Sequence, residues 1–276
     1  MASRRVACPA ESQPPPGIHW GPDAGTELVT KEGLRADGRV VDEIRPMYVK
    51  EGVVSRANGS AYLEMRQTKV ICAVYGPRDV GRREEFSMKG KLSCDFSFLP
   101  FACRQRRVPG HDAEHKDISS RLVQTFESVV CLDRFPKSQV DICVNVLQDD
   151  GSAFSAAVTC ASAALADAGV EMFDIVTGCS AKIHDNNILL DPTLDEELHV
   201  DNEVGQNQSS GLLHFALMPS RNEVAYISLQ GEVDADGLVE ATRACSDGCI
   251  RVHEVVRQSL VQSVSLKHKH NYKTVT

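Results

Sequence analysis

The residues Asp149-Asp150-Gly151-Ser152 stand where an alternating apolar run gives way to a segment crowded with alanine. A strand that empties through a glycine-bearing turn into a helix N-terminus offers backbone N–H groups and the positive end of a helix dipole, the raw material of a phosphate site. Gripping a phosphate also takes charge-assisted donors from side chains. The next two residues are Ala153 and Phe154, which carry neither a hydroxyl nor a charge. Ser152 beside Asp150 fits a helix N-cap and needs no catalytic role.

A second group with chemical potential is Arg104, Arg106 and Arg107, close behind Phe101 and preceded by Lys89 and Lys91. Arginines on a loop beside an aromatic ring suit single-stranded RNA, by phosphate pairing and base stacking. A solvated basic loop, or one that salt-bridges a neighbouring subunit, fits the same residues. A third group is acidic: Asp191, Asp195, Glu196, Glu197, Asp201 and Glu203. Such carboxylates can hold a magnesium ion together with substrate phosphates, or form a solvated polar surface. His111, His115 and His184 fall near these segments, but no Ser-His-Asp or Cys-His order emerges. Cys245 and Cys249 lie one helical turn apart with no paired CxxC, which fits small buried hydrophobes better than zinc.

These residues need elements to position them. Residues 1–32 hold three consecutive prolines and no hydrophobic period, and read as a flexible tail. Between Met47 and Gly76 the sequence alternates, with Asn58-Gly59 between β-rich runs, which predicts three antiparallel strands and a hairpin. A strand ends near Phe101, and a loop rich in Arg, Pro and Gly runs from Cys103 to about Asp112. Ile118, Leu122, Val123, Phe126, Val129 and Val130 recur with the helical period. Past Pro136, Val140, Ile142, Val144 and Val146 share one face of a strand. A helix follows over about 152–168, closed by Gly169 as C-cap. Three or four strands are expected between Ile175 and Leu229, then a helix over roughly 237–263. The expected architecture is α/β: one domain over 33–264, with mixed and antiparallel sheets flanked by helices and a basic tail at 265–276.

Bulk properties narrow the function. The chain has 276 residues and a formal net charge of −8, which argues against a general nucleic-acid coat and leaves only local basic patches for RNA. No run of about 18 apolar residues is present, so no membrane partner is expected. The first residues contain no apolar core of signal-peptide length, and ten cysteines then point to a reducing compartment and free thiols.

The segments RADGRVVDEIRPMYV (35–49), GSAYLE, TKVICAVYGPR, VLQDDGSAFSAA and ALADAGVEM, in this order, resemble the ribonuclease PH family over about Leu34 to Leu260. The resemblance implies a phosphorolytic exoribonuclease fold, in which inorganic phosphate attacks the 3′-terminal phosphodiester and releases a nucleoside diphosphate. It also implies six-membered rings, which in eukaryotes form the body of the RNA exosome. In active members an Asp-Gly-Gly-Thr-Arg turn and a second arginine at the start of the preceding helix hold the phosphate, and downstream carboxylates hold a divalent metal. Here Ser152 replaces the second glycine, Ala153 the threonine and Phe154 the arginine, while the other arginine's place falls at or near Glu114. The last metal aspartate's place falls near Ser209–Gly211. A carboxylate some 4–6 Å from a bound phosphate repels it by amounts on the order of kcal/mol.

The resemblance therefore implies a degenerate site at Glu114, Ala153 and Phe154, with no catalytic residue, metal or cofactor. The chain becomes a scaffold in a hetero-hexameric ring of ribonuclease PH-like exosome subunits, in nucleus, nucleolus and cytoplasm. It would support an OB-fold-type RNA-binding cap subunit and line a channel for single-stranded RNA with Arg104, Arg106 and Arg107. The alternative is an active phosphate-dependent exoribonuclease whose site a partner subunit completes.

Overall fold

The computed structural model describes residues 28–30, 33–79, 89–104, 106–107, 113–184, 187–199 and 210–274. Five strands build the first sheet: β1 (Met47–Glu51), β2 (Gly59–Met65), β3 (Thr68–Asp79), β4 (Lys91–Phe98) and β5 (Ser138–Gln148), in the order β1-β2-β3-β5-β4. β4 and β5 run parallel and the remaining neighbours antiparallel, so the sheet is mixed. The parallel step needs a crossover, and α1 (Ala113–Glu127) supplies it. The second sheet is antiparallel throughout: β6 (Thr177–His184), β7 (Asn187–Leu190), β8 (Ser210–Met218) and β9 (Glu223–Glu232), in the order β7-β6-β8-β9. A short α3 (Leu194–Leu198) links β7 towards β8, and α4 (Ala235–Thr274) follows β9. The expected fold class, α/β with mixed and antiparallel sheets flanked by helices, is the one found.

Helix α2 (Ala153–Ala168) is the centre of the molecule, packed against β2 and β3 on one side and β6 and β8 on the other. Every residue from Phe154 to Leu165 is buried, which requires a helix apolar all round. Small side chains bring both sheets close. A Cβ added to Gly59 would lie 2.5 Å from the Ala168 Cα, and one added to Gly178 would lie 2.7 Å from the Ser155 carbonyl oxygen. The strand face read from Val140, Ile142, Val144 and Val146 is fully buried under this helix and its neighbours.

Three expectations need correction. The three antiparallel strands are found, with Asn58 at the end of the longer β1–β2 connection, but the tight two-residue turn lies at Arg66-Gln67, between the paired Met65 and Thr68, where Arg66 takes a positive φ of 54°. Asn58 instead accepts the Gly76 N–H through its side-chain oxygen, and Gly59 is glycine because α2 passes over it. Helix α1 stops at Glu127, so Val129 and Val130 are core residues of the following turn. Helix α4 runs on to Thr274, through most of the segment read as a tail, because nothing in its sequence breaks a helix. The N-terminal expectation over 1–32 falls almost wholly outside the described residues. Among the described residues, no helix is long and apolar enough to cross a membrane.

Candidate functional site

The turn that ends β5 is clamped from below by a buried guanidinium. Arg45 is fully buried, forks onto both carboxylate oxygens of Asp191 at 2.7 and 2.8 Å, and donates to the carbonyls of Asp150 at 2.8 Å and Gly151 at 3.2 Å. The Thr68 hydroxyl donates to the Gly151 carbonyl at 2.9 Å and accepts the Asp150 N–H at 3.2 Å. Burial opposes both charges, but the fork and the mutual charge overcome it: the Arg45 pKa is raised and the Asp191 carboxyl is held below its usual range. Arg39 adds a further contact to the Asp191 carbonyl at 3.2 Å.

The turn's own N–H groups already have acceptors. Asp150 donates to Thr68, Gly151 to the Asp149 carboxylate at 3.2 Å, and Ser152 to the Glu197 carboxylate at 2.7 Å. Glu197 thus places a carboxylate at the α2 N-terminus, where an anion is favoured by dipole and donors together. Burial pushes its carboxyl up to about 7, Asp149 and Asp191 push the same way, and the Ser152 N–H and Arg45 pull it down. The segment Pro192–Leu194 closes over the turn so tightly that a Cβ on Gly151 would lie 2.6 Å from the Leu194 nitrogen. Ser152 occupies the cap position but in the left-handed region, φ 55°, where a second glycine is at home. Its hydroxyl makes no cap hydrogen bond and donates instead to the Pro192 carbonyl at 3.1 Å, so the expected capping role is not what the side chain does.

Phe154 is 6% exposed and lies between His214 and Tyr226, with both ring centroids at 5.4 Å. Burial and the nearby Arg121 pull the His214 pKa down to about 4, so this imidazole is neutral at physiological pH, and it meets the Ser180 hydroxyl at 3.3 Å. A buried phenylalanine of this kind contributes about 2–3 kcal/mol, with about 1 kcal/mol more for each well-placed ring pair. Ala153, half-buried, packs against the same core. The first turn of α2 therefore carries a buried aromatic cluster and no cation at position 154.

The remaining predicted residues surround the turn's open side. Glu114 opens α1 and binds Arg107 at 2.6 Å, so it is a partner of the basic loop. The Arg107 guanidinium also lies 4.5 Å over the ring of Phe98. Phe101, the expected stacking neighbour, is exposed. Arg104 forks onto Asp195, with the longer of the two contacts at 2.7 Å. Arg106 is exposed and makes no ion pair among the described residues.

The acidic group divides, and three of its four described members, Asp191, Glu196 and Glu197, are held in structural contacts. Asp191 belongs to the Arg45 clamp. Glu196 is buried, closes a capping box with Thr193 and lies 3.7 Å from Arg35. Glu197 binds the α2 N-terminus, and among the described members only Asp195 is exposed. Asp201, Glu203, Ser209 and His111 lie outside the described residues. Among those described, no group of three or more His, Cys, Asp or Glu is arranged to hold a metal. Cys245 and Cys249 are buried free thiols.

Two consecutive family models match the chain: 3′ exoribonuclease family domain 1 over residues 43–171, and domain 2 over 174–244. The chain belongs to the ribonuclease PH family. Its division follows the structure, since β1 to α2 fall in the first part and the second sheet with the start of α4 in the second. The exosome complex component MTR3 of Homo sapiens is 38% identical to this ribonuclease PH-family chain, covering 94% of each. The exosome complex component Rrp41 of Pyrococcus horikoshii is 33% identical over 86% of the chain and 92% of its own length. Rice Rrp46 superposes with a TM-score of 0.72 at 21% identity, covering 82% of this chain and 99% of that one. A chain of the Archaeoglobus fulgidus exosome, solved with RNA bound to the active site, superposes with a TM-score of 0.67 at 19% identity over 81% and 93%. At these identities the two superpositions speak for the fold.

Sequence reasoning missed the residues that bring this site to its present state. Arg45, Thr68, His214 and Tyr226 each act on the turn or on Phe154 from a different part of the chain, with no local spacing to announce them. The only signal was Asp191 and Glu197 themselves, noted as acidic but without their partners.

Proposed function

We propose that this chain is a non-catalytic ring subunit of an RNA exosome core, a scaffold that shapes an RNA path for nucleases bound elsewhere. The observation that carries the reading is the state of the inherited phosphate site. Its turn N–H groups are satisfied by Thr68, Asp149 and Glu197, and Phe154 sits in an aromatic cluster where a cation would be needed. Two polyanions cannot be brought together without cations to offset their repulsion. The relatives named as exosome components over nearly the whole chain support ring membership.

In this reading the partners are other ribonuclease PH-like subunits in a hetero-hexameric ring, an OB-fold-type RNA-binding cap subunit, and single-stranded RNA in the channel. Arg106 is the most accessible cation for that RNA, with Arg104 and Arg107 beside it. The work of the ring is 3′-to-5′ RNA processing and decay in nucleus, nucleolus and cytoplasm. Native mass spectrometry of the chain purified from its own cells tests the assembly. Partner masses matching ribonuclease PH-like chains at one copy each are expected, and a homo-oligomer or a lone chain contradicts it.

A further inference from the structure

Arg104 forks onto the Asp195 carboxylate in the manner in which a guanidinium takes a phosphate, and Arg107 donates to the Glu114 carboxylate at 2.6 Å while lying over the Phe98 ring. In both pairs the acid is the more exposed member: Asp195 is 52% exposed against 29% for Arg104, and Glu114 is 53% exposed against 28% for Arg107. A phosphodiester approaching from solvent therefore meets the carboxylate before the cation. The two acids come from separate elements, α3 and the first turn of α1, so two independent parts of the fold cover the same loop.

We infer that Asp195 and Glu114 set the RNA affinity of this subunit, by occupying Arg104 and Arg107 as internal substitutes for RNA phosphates. Single-stranded RNA engages these two arginines only by exchange with a carboxylate, whereas it reaches Arg106 directly. Exchange replaces one charge-assisted pair by another, and the displaced acid then repels the RNA, so the net gain per arginine is small. The subunit holds RNA weakly, which suits a surface along which a strand must slide. This inference rests on the reading of the loop as an RNA-facing surface.

The test is fluorescence anisotropy of a labelled single-stranded oligoadenylate with the full chain across a salt series. Asp195→Asn and Glu114→Gln keep side-chain shape and remove the charge. Each is expected to tighten binding about two- to fivefold at low salt, the range of an exposed ion pair. Each released arginine adds up to about 0.7 to the slope of log affinity against log salt. The gain must vanish when the partner is absent: Asp195→Asn in an Arg104→Ala chain, and Glu114→Gln in an Arg107→Ala chain, are expected to do nothing further. A gain that survives in those backgrounds is a general charge effect and overturns the inference. Arg106→Glu separates the two levels. If it weakens binding while Asp195→Asn and Glu114→Gln bring no gain, the loop reading stands and the inference falls; if it changes nothing, both fall.

Discussion

The Glu197 carboxylate accepts the Ser152 N–H at 2.7 Å, so the helix N-terminus that would face a phosphate faces a carboxylate of the same chain. The pair closes this N-terminus from the protein side, and burial raises the Glu197 pKa to about 7. A carboxyl whose folded pKa lies above its unfolded one favours folding when protonated, so its contribution is greatest below about pH 4.5 and is lost as pH rises towards 7. His214 works in the opposite sense. Its folded pKa, near 4, lies below the unfolded one, so its contribution is present above about pH 6.5 and is lost as pH falls.

The two slopes oppose one another between about pH 4.5 and 6.5, each with an amplitude on the order of 3 kcal/mol. Glu197→Gln keeps an acceptor for Ser152 and removes one slope. Calorimetric melting at pH 5 and pH 7 is expected to show the variant losing more stability than the parent on acidification. Identical pH profiles for the two proteins contradict the assignment. Asp149 and Asp150, also raised by burial, are present in both proteins.

Asp191→Asn removes the forked counter-charge of the buried Arg45 guanidinium, beneath the turn it clamps, and leaves it only the more distant Asp150 carboxylate at 3.8 Å. Breaking such a pair costs about 3–5 kcal/mol. Urea unfolding at neutral pH checks this, and a loss under about 1 kcal/mol contradicts the clamp. Because the Asp191 pKa is depressed, its contribution is present above about pH 4 and is lost only on stronger acidification.

Phe154→Ala is expected to remove about 3–5 kcal/mol of stability by opening a cavity between His214 and Tyr226. Phe154→Arg buries a guanidinium among rings, on the side where Arg121 already depresses the His214 pKa. It is expected to destabilise the fold and to give no rise in melting temperature with millimolar phosphate. A phosphate-dependent rise contradicts the picture of a closed site.

Changing Arg104, Arg106 and Arg107 together to Glu sets like charges against Asp195 and Glu114 and removes the guanidinium over Phe98. The loop loosens locally, at a loss of about 1 kcal/mol, while the buried core is untouched. Protection of RNA by the assembled ring is expected to fall at low salt with assembly intact. Unchanged protection at low salt contradicts an RNA-facing loop.

Much of this fold was legible because its signals are local. The α2 boundaries follow from the alanine run and from Gly169, whose left-handed φ of 73° closes the helix as expected. The β5 face follows from alternation over four residues, all of them fully buried. That the turn carries neither a hydroxyl nor a charge at Ala153 and Phe154 could also be read directly. What fills it could not, because the fillers lie far away in sequence: Asp191 is 146 positions from Arg45, and Glu197 is 45 from Ser152. The acidic run illustrates the difference. Its composition admits a metal site or a solvated loop, and only tertiary placement turns Asp191, Glu196 and Glu197 into three different structural devices. Asn58-Gly59 shows the reverse case, a strong local turn signal that a packing demand from α2 explains instead.

The most direct test of catalytic silence is phosphorolysis by the purified chain, alone and in its reconstituted ring, on a 5′-labelled oligoadenylate with inorganic phosphate and magnesium. The account predicts no phosphate-dependent release of ADP attributable to this subunit. Phosphate-dependent ADP release that follows the chain through purification and is abolished by Asp195→Ala would contradict it.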